Sequence, residues 1–341
     1  MHVSVIAPAY NAAAWISDAI ASVLAQAHRD WVLVVVDDGS TDGTAAVVAQ
    51  FTDPRIRLIR QRNAGVSAAR NRGVAERRGG RSGDAILFLD ADDWLAPDAL
   101  SRLAAALDAS PTAVAASGAY TFVSTGTVRT PPSGDILQRL LVRNLFANGG
   151  HLLIRSEAIH AAGGFVSGLT YGEDWEFWIR IALQGRFAAT PDHAPVVFIR
   201  QHAGSAYDRL ATDPAAFAPC MDAIFANPAL LARFGARRLA AIRRRTDAEN
   251  DWVIGRELIR HDRRAEGLRR LRRSVRAHPS VKRACMLAMA HTLPLVPSVW
   301  RGPFRPYQFA PHAARTRTNF ACSVPTRPCG RKMMNTTSRL P

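Results

Sequence analysis

The sequence predicts a doubly wound α/β fold, a mostly parallel sheet with helices on both faces, followed by an α-helical extension. Three observations carry this reading. Short apolar runs recur at 2–7, 31–36, 55–60 and 85–89, each followed by a stretch with helix signals, and such alternation is how parallel strands are connected. The strongest of these runs, Trp31 to Val36 and Ala85 to Leu89, are apolar throughout rather than alternating, as suits strands covered on both faces. Past about residue 205 the strand signals stop and Ala-, Leu- and Arg-rich stretches take over.

The first strand, His2 to Ala7, ends in Pro8-Ala9-Tyr10-Asn11, where Asn11 is placed to cap a helix whose Ile16, Ile20, Val23 and Leu24 share one face. Trp31 to Val36 runs straight into Asp37-Asp38-Gly39-Ser40-Thr41-Asp42-Gly43-Thr44, a turn and helix start. A third, weaker strand spans Arg55 to Arg60, and Asn63-Ala64-Gly65-Val66-Ser67 opens a helix carrying Arg70, Asn71 and Arg72. A basic, glycine-rich loop from Arg77 to Gly83 leads to the fourth strand. A helix over Pro97 to Ser110, a strand over Ala113 to Val123 and a polar loop to Gly134 come next. A short helix from about Asp135, an apolar stretch from His151 to Ile154 and the turn Gly163-Gly164-Phe165 follow. From Glu173 to Gln184, Phe177, Ile181 and Trp178 fall toward one helical face, and Pro195 to Ile199 forms the last strand. Helices are expected near 215–225, 228–245, 247–260 and 262–277, the last two as a hairpin, and the composition from about His312 onward is that of a disordered tail. The chain thus divides into a unit over 1–205, an Arg-rich helical region over 206–311 and a tail over 312–341.

The net charge of +16 lies in the last third: residues 233–341 carry 25 Arg or Lys against 6 Asp or Glu, whereas residues 1–232 are close to balanced. A cationic amphipathic surface of this kind suits an anionic membrane face; an Arg-rich solvated surface reflecting genomic composition is the plainer reading. Nucleic-acid binding is disfavoured, because charge comes without an aromatic-basic repeat or a recognisable binding module. The four cysteines form no close CxxC pair and no signal peptide precedes the first strand, so a reducing cytoplasm is the expectation. No run of eighteen apolar residues exists to span a bilayer.

The chemistry centres on Asp90-Ala91-Asp92-Asp93-Trp94, three carboxylates directly after the apolar run Ala85 to Leu89. They sit at a strand's C-terminal end, the edge of an open α/β sheet where ligands bind. Clustered carboxylates repel unless a cation or a hydrogen-bond network neutralises them. Oxygen donors with no nearby Cys point to a hard divalent ion, Mg²⁺ or Mn²⁺, of the kind that holds a diphosphate. The alternative is an acidic strand-to-helix turn in which Asp92 or Asp93 caps the helix near Pro97.

The order of these motifs resembles the family 2 glycosyltransferases of GT-A fold. The matching pieces are Pro8-Ala9-Tyr10-Asn11, the Val35 to Thr44 stretch with Asp37-Asp38, Asn63 to Asn71, Leu89 to Asp93, and Glu173-Asp174-Trp175, with His202 after a strand completing the set. The resemblance covers about residues 3 to 205. It implies a metal-dependent inverting transferase that moves one sugar from a nucleotide-sugar, UDP-linked by preference, to a glycan or lipid-linked acceptor in cell-envelope polysaccharide or glycolipid assembly. A cytoplasmic enzyme, peripheral on the inner face of the plasma membrane, fits that setting. The Gln-x-x-Arg-Trp signature of processive synthases is absent, which favours single-sugar addition.

The same resemblance implies roles. Ala7, Tyr10, Asp37, Arg70 and Asp90 would surround the nucleotide, with Asp37 accepting from a uracil N–H, Tyr10 stacking on the base and Arg70 meeting a phosphate or a carboxylate. Asp92 is the main metal ligand, supported by Asp90, Asp93 and His202, and the ion would be Mn²⁺ or Mg²⁺ acting as a Lewis acid. Asp174 is the candidate base and Glu173 the runner-up. Trp175 and His151 would lie in the acceptor region, and His202 with Ser205 would close over the diphosphate. The plainer readings stand beside these: helix-capping and turn chemistry for Asp37-Asp38, first-turn acids complementing a helix dipole for Glu173-Asp174, and core packing for the tryptophans and histidines. Three other functions fit less well. A catalytically silent glycan- or membrane-binding protein on the same scaffold would neither bind metal–nucleotide productively nor release sugar. A nucleotidyltransferase would need a triphosphate loop rich in Gly and Lys that the N-terminus lacks, and a Rossmann dehydrogenase would need a GxGxxG after the first strand.

Overall fold

The structure is a computed structural model and describes residues 1–77, 84–202 and 213–292. Ser205, the 312–341 tail and most of the Arg77–Gly83 loop lie outside the described residues.

The sheet that organises the chain is built from β1 (Val3–Ala9), β2 (Trp31–Asp37), β3 (Ile56–Arg60) and β4 (Ala85–Phe88), which pair in parallel in the order β4-β1-β2-β3. Between them run the helices α1 (Ile16–Leu24), α2 (Thr44–Val48) and α3 (Val66–Glu76). After β4 come β5 (Trp94–Leu95), α4 (Ala99–Asp108), β6 (Ala113–Ser117), β7 (Ala119–Phe122), β8 (Thr127–Arg129) and α5 (Leu137–Val142). The chain continues through β9 (Leu152–Arg155), α6 (Ser156–Ala162), α7 (Glu173–Gln184), β10 (Arg186–Ala189) and β11 (Pro195–Ile199). Strand β9 inserts antiparallel between β4 and β6, and β10 closes the far edge parallel to β6, giving a seven-stranded sheet in the order β10-β6-β9-β4-β1-β2-β3. A second sheet, β5-β11-β7-β8, stands beside the C-terminal end of β4.

The alternation of side chains in β1 and β2 divides the core in two. Val3, Val5, Ala7, Leu33 and Val35 face α1 and α4, while Ile6, Val32, Val34 and Val36 belong to the core beneath α5, α6 and α7. Burial on both faces is why these strands lack a polar alternation.

Four helices follow: α8 (Pro214–Phe225), α9 (Pro228–Arg260), α10 (Arg264–Ala277) and α11 (Val281–Thr292). Cys220, Met221 and Ile224 of α8 and Leu230, Leu239 and Ile242 of α9 share the second core with α5 and α7. Thr246 Oγ1 donates to the Leu141 carbonyl at 2.8 Å, fixing α9 on α5. Against α9 lies α10 at a close crossing, where a Cβ on Gly267 would come 2.5 Å from the Gly255 carbonyl oxygen. No single helix among the described residues is long and apolar enough to cross a membrane.

Four sequence expectations need correction. Asn11 does not cap α1, which starts at Ile16; it has a φ of 49° and its Oδ1 accepts from Thr41 N at 2.8 Å, tying two loops together. The strand expected over 113–123 is two strands in two sheets, broken at Gly118, where a Cβ would meet Val196 Cγ1 at 2.6 Å. The break expected near residue 246 lies instead at Gly235, whose φ of 72° interrupts α9. Strands β5, β8 and β10 have two to four residues each, too short for a hydrophobic period to register.

Candidate active site

The carboxyl ends of β2, β1 and β4 are adjacent, because β1 pairs with both neighbours in parallel. Asp37, Tyr10 and Asp90 therefore converge on one sheet edge, although they are far apart in sequence. Asp37 ends β2 opposite Ala9, is 1% exposed, and accepts from Ser40 N at 2.9 Å through Oδ1. Its Oδ2 has no hydrogen-bond donor, and Arg60 Nε lies 3.5 Å away. Tyr10, the next residue after β1, is 53% exposed at this edge. Ala7 points its methyl into the core, so its side chain does not face this edge. Asp38 is not a ligand group: its carboxylate takes hydrogen bonds from Gln61 Nε2, Ala64 N and Gly65 N at 2.7–2.9 Å and staples the loop that starts α3.

The Arg70 guanidinium is the hub of the site. It is 5% exposed on α3, and its two terminal nitrogens reach Asp90 Oδ1 and Glu173 Oε1, each at 3.0 Å. Phe165 supports it from 5.1 Å, within an aromatic cluster with Phe88, Phe177 and Trp178. Asn71 fixes Phe165 in turn, exchanging two backbone bonds of 2.8 Å with it. Burial opposes the guanidinium's charge, but Asp90, Glu173 and Asp174 outweigh it and raise its pKa above the ordinary arginine value. Arg70 thereby draws the acidic motif of β4 and the first turn of α7 into one cleft.

Asp92 is 31% exposed at its side chain, and its Oδ2 meets His202 Nε2 at 2.9 Å. Burial and the nearby Asp90 raise the Asp92 carboxyl above its usual range, and the His202 contact partly offsets them. Asp93 is 2% exposed and turned inward: Oδ1 accepts from Arg200 N at 2.8 Å and Oδ2 from Asn148 Nδ2. Burial, then Asp92 and Asp90, push it well above the carboxylate range. Neither Asp92 nor Asp93 caps α4, which begins at Ala99 behind Asp98. Among the described residues no three His, Cys, Asp or Glu gather closely enough to form a complete metal cage.

On α7, burial and then Glu173 raise the Asp174 carboxyl to about 7, against the pull of Arg70. Its Oδ1 accepts from Trp175 N at 2.6 Å, and Asn144 Nδ2 lies 3.4 Å from Oδ2. Glu176, two residues on, is buried and paired with Arg180.

Two sequence expectations are overturned at the acceptor side. Trp175 is 4% exposed and donates its indole N–H to the Leu140 carbonyl at 2.7 Å, so it is a core residue linking α7 to α5. His151 is fully buried between Tyr120 and Phe146, accepts from Ala147 N at 3.3 Å, and is held neutral by burial, its pKa lowered to about 3. Asn148, Asn144, Trp15 and Arg200 are site neighbours that the sequence reading did not single out. The position of Arg200 two residues before His202 was the one signal available.

Residues 4–161 match the model of glycosyl transferase family 2. Those residues form a domain of that family, whose class is the glycosyltransferases, on a GT-A fold. Among curated relatives, WfgD of Escherichia coli, a UDP-Glc:alpha-D-GlcNAc-diphosphoundecaprenol beta-1,3-glucosyltransferase, is 45% identical over 96 residues, 28% of this chain and 36% of WfgD. The matched segments span from 14% to 40% of the length of such relatives. S. aureus TarS 1-349 in complex with UDP-GlcNAc superposes with a TM-score of 0.58 at 18% identity, over 85% of this chain and 87% of that one. The mannosyltransferase PcManGT from Pyrobaculum calidifontis, in complex with GDP-Man and Mn2+, superposes with a TM-score of 0.53 at 21% identity, over 88% and 82% of the two chains. Both likenesses define the fold.

Proposed function

We propose that this protein moves one sugar from a nucleotide-sugar, UDP-linked by preference, to a hydroxyl of a glycan or lipid-linked acceptor in cell-envelope polysaccharide or glycolipid assembly. The transfer is a direct displacement that inverts the anomeric carbon. The observation that carries this reading is the Arg70 bridge, which sets a carboxyl with a pKa of about 7 beside the acidic edge of the sheet. A base works best when its pKa lies near the working pH. Asp174 meets that condition, with Oδ2, which Asn144 Nδ2 approaches to no closer than 3.4 Å, as the oxygen to take the acceptor's proton once Trp175 N occupies Oδ1.

At the donor side, Asp37 Oδ2 lacks a donor and suits a base N–H, while Tyr10 offers its ring at the same edge. Asp92 and His202 provide one carboxylate and one imidazole within 2.9 Å, and Asp90 stands beside them. That donor set suits Mn²⁺ or Mg²⁺, which commonly takes one or two protein ligands and completes its shell with phosphate oxygens and water. When bound there, the ion would neutralise charge on the departing diphosphate. Arg70 keeps Asp90 and Glu173 oriented, and Asp93 anchors the chain leading to His202. The names of WfgD and TarS, with their UDP-sugars and a lipid-linked acceptor, support the donor and acceptor classes.

A peripheral membrane position, on the inner face of the plasma membrane, extends the proposal. Arg269, Arg272, Arg273 and Arg276 lie exposed along one side of α10, which suits anionic headgroups.

The test is sugar release. The purified protein, supplied with Mn²⁺ and UDP-glucose, UDP-GlcNAc or GDP-mannose, is expected to liberate nucleoside diphosphate from one donor, and Asp174→Asn to abolish transfer while nucleotide binding remains. No turnover of any donor, with or without candidate acceptors, would favour a silent binding protein.

A further inference from the structure

His202, Trp15, Arg200, Trp94 and Phe198 form one continuous run of ring and guanidinium contacts along the edge of the candidate site. The imidazole of His202 stacks on the Trp15 indole at 5.6 Å with planes 23° apart. The Arg200 guanidinium lies over Trp15 at 4.5 Å and over Trp94 at 4.8 Å. Trp94 in turn stacks on Phe198 at 5.6 Å with planes 12° apart. Two further bonds lock Arg200: its Nη2 reaches Asp18 Oδ2 at 2.7 Å, and its backbone N–H donates to Asp93 Oδ1 at 2.8 Å. The run therefore joins the start of α1, the acidic motif with β5, and the end of β11.

Trp15 precedes α1 without capping it and is only half-buried, so neither the helix nor the core explains a residue of its size there. What the run does fix is the imidazole, whose Nε2 is aimed at Asp92 Oδ2. A near-parallel stack fixes the plane of the imidazole on the indole, and the Arg200 guanidinium over the same indole adds a cation–π contact. Groups that orient a ligating histidine without touching the ion commonly change metal affinity 10- to 100-fold when removed.

We propose that Trp15 and Arg200 are positioning residues that set the His202 imidazole toward Asp92 for the divalent cation and diphosphate of the donor. The inference rests on the donor site proposed above. It assigns Trp15 to orienting the ring and Arg200 to bracing Trp15 from Trp94, while the Arg200 main chain holds the His202 segment on Asp93.

The experiment is calorimetric titration of the full chain with UDP and with GDP, each in Mn²⁺ and in EDTA. Trp15→Ala is expected to weaken binding of the Mn²⁺–nucleotide about tenfold or more, to leave binding in EDTA unchanged, and to be rescued by Trp15→Phe. Arg200→Gln keeps the backbone bond to Asp93 and is expected to give the same metal-specific loss, so the test survives if Trp15→Ala does not fold. Equal loss with and without Mn²⁺, or wild-type affinity in both variants, would overturn the positioning role and leave the donor site standing. Failure of the wild-type protein to bind either nucleotide in Mn²⁺ would overturn the donor site and this inference together.

Discussion

Arg70 and Glu173 stand 103 positions apart in the chain and 3.0 Å apart in space. That contact, with its twin to Asp90, turns two separate acidic motifs into one cleft.

Removing the hub should be expensive. Arg70→Ala leaves Asp90, Glu173 and Asp174 facing one another without a counter-charge. Breaking a buried pair by deleting one partner costs about 3–5 kcal/mol, and the partial exposure of Asp90 and Glu173 places this variant near the lower end. Urea denaturation measures the loss. Arg70→Lys is expected to recover only part of it, because an ammonium is not a rigid fork that can hold both carboxylates in their present directions.

The raised pKa of Asp174 sets a pH dependence with a definite sign. An unfolded aspartate ionises near about 3.9, whereas burial and Glu173 hold this one protonated to about 7. The folded state therefore binds a proton that the unfolded chain gives up. Its stabilising contribution is complete below about pH 4 and is lost as pH rises through about 7. Asp174→Asn should flatten part of that fall between pH 4 and 7 in denaturation curves. Asp92 and Asp93, both raised, slope the same way, whereas buried His151, lowered to about 3, slopes oppositely over the acidic part of this range. The proposed transfer is expected to run in the opposite direction, rising through about pH 7 as Asp174 ionises.

Gly149 lies against the last residue of β4. A Cβ there would approach the Phe88 carbonyl oxygen to 2.8 Å and Phe88 Cβ to 2.7 Å. Both belong to a central strand that cannot shift freely, so Gly149→Ala should destabilise by about 2 kcal/mol, within the range for overpacking. It should also displace Asn148 from Asp93, lowering nucleotide affinity along with thermal stability.

The cationic side of α10 invites a separate test. Sedimentation with anionic vesicles at low salt should retain the protein, and neutral vesicles should not. Replacing Arg269, Arg272 and Arg276 by Gln should reduce the partition roughly 100-fold, at about 1 kcal/mol per surface cation. Retention unchanged by the three substitutions would remove this face from the proposal. Binding to a DNA duplex with the same dependence on these residues would assign the charge to nucleic acid instead.

The parallel half of the sheet was legible because strands covered on both faces leave unbroken apolar runs such as Trp31 to Val36 and Ala85 to Leu89. Those runs locate Asp37 and Asp90 at strand ends without any knowledge of tertiary contacts. The Arg70–Glu173 pairing was not legible, since nothing local connects α3 with α7. Trp175 and His151 were misassigned for the same reason. An aromatic or imidazole next to a motif reads alike whether its ring faces a cleft or a core, and only the hydrogen bond to Leu140 and the packing against Tyr120 distinguish the two. The stack on Trp15 was hidden because its members come from three elements whose adjacency depends on β5 and β11, one of them two residues long.

The most direct measurement of the central claim is nucleotide binding by wild-type protein and by Asp92→Asn, with UDP and GDP in Mn²⁺ and in EDTA. The expected result is binding of one nucleotide that Mn²⁺ strengthens in the wild-type protein, with that gain lost in Asp92→Asn, whose fold remains intact by circular dichroism. Binding that is indifferent to Mn²⁺ and to Asp92, or no binding by folded wild-type protein, would contradict the assignment of this cleft as a metal-assisted donor site.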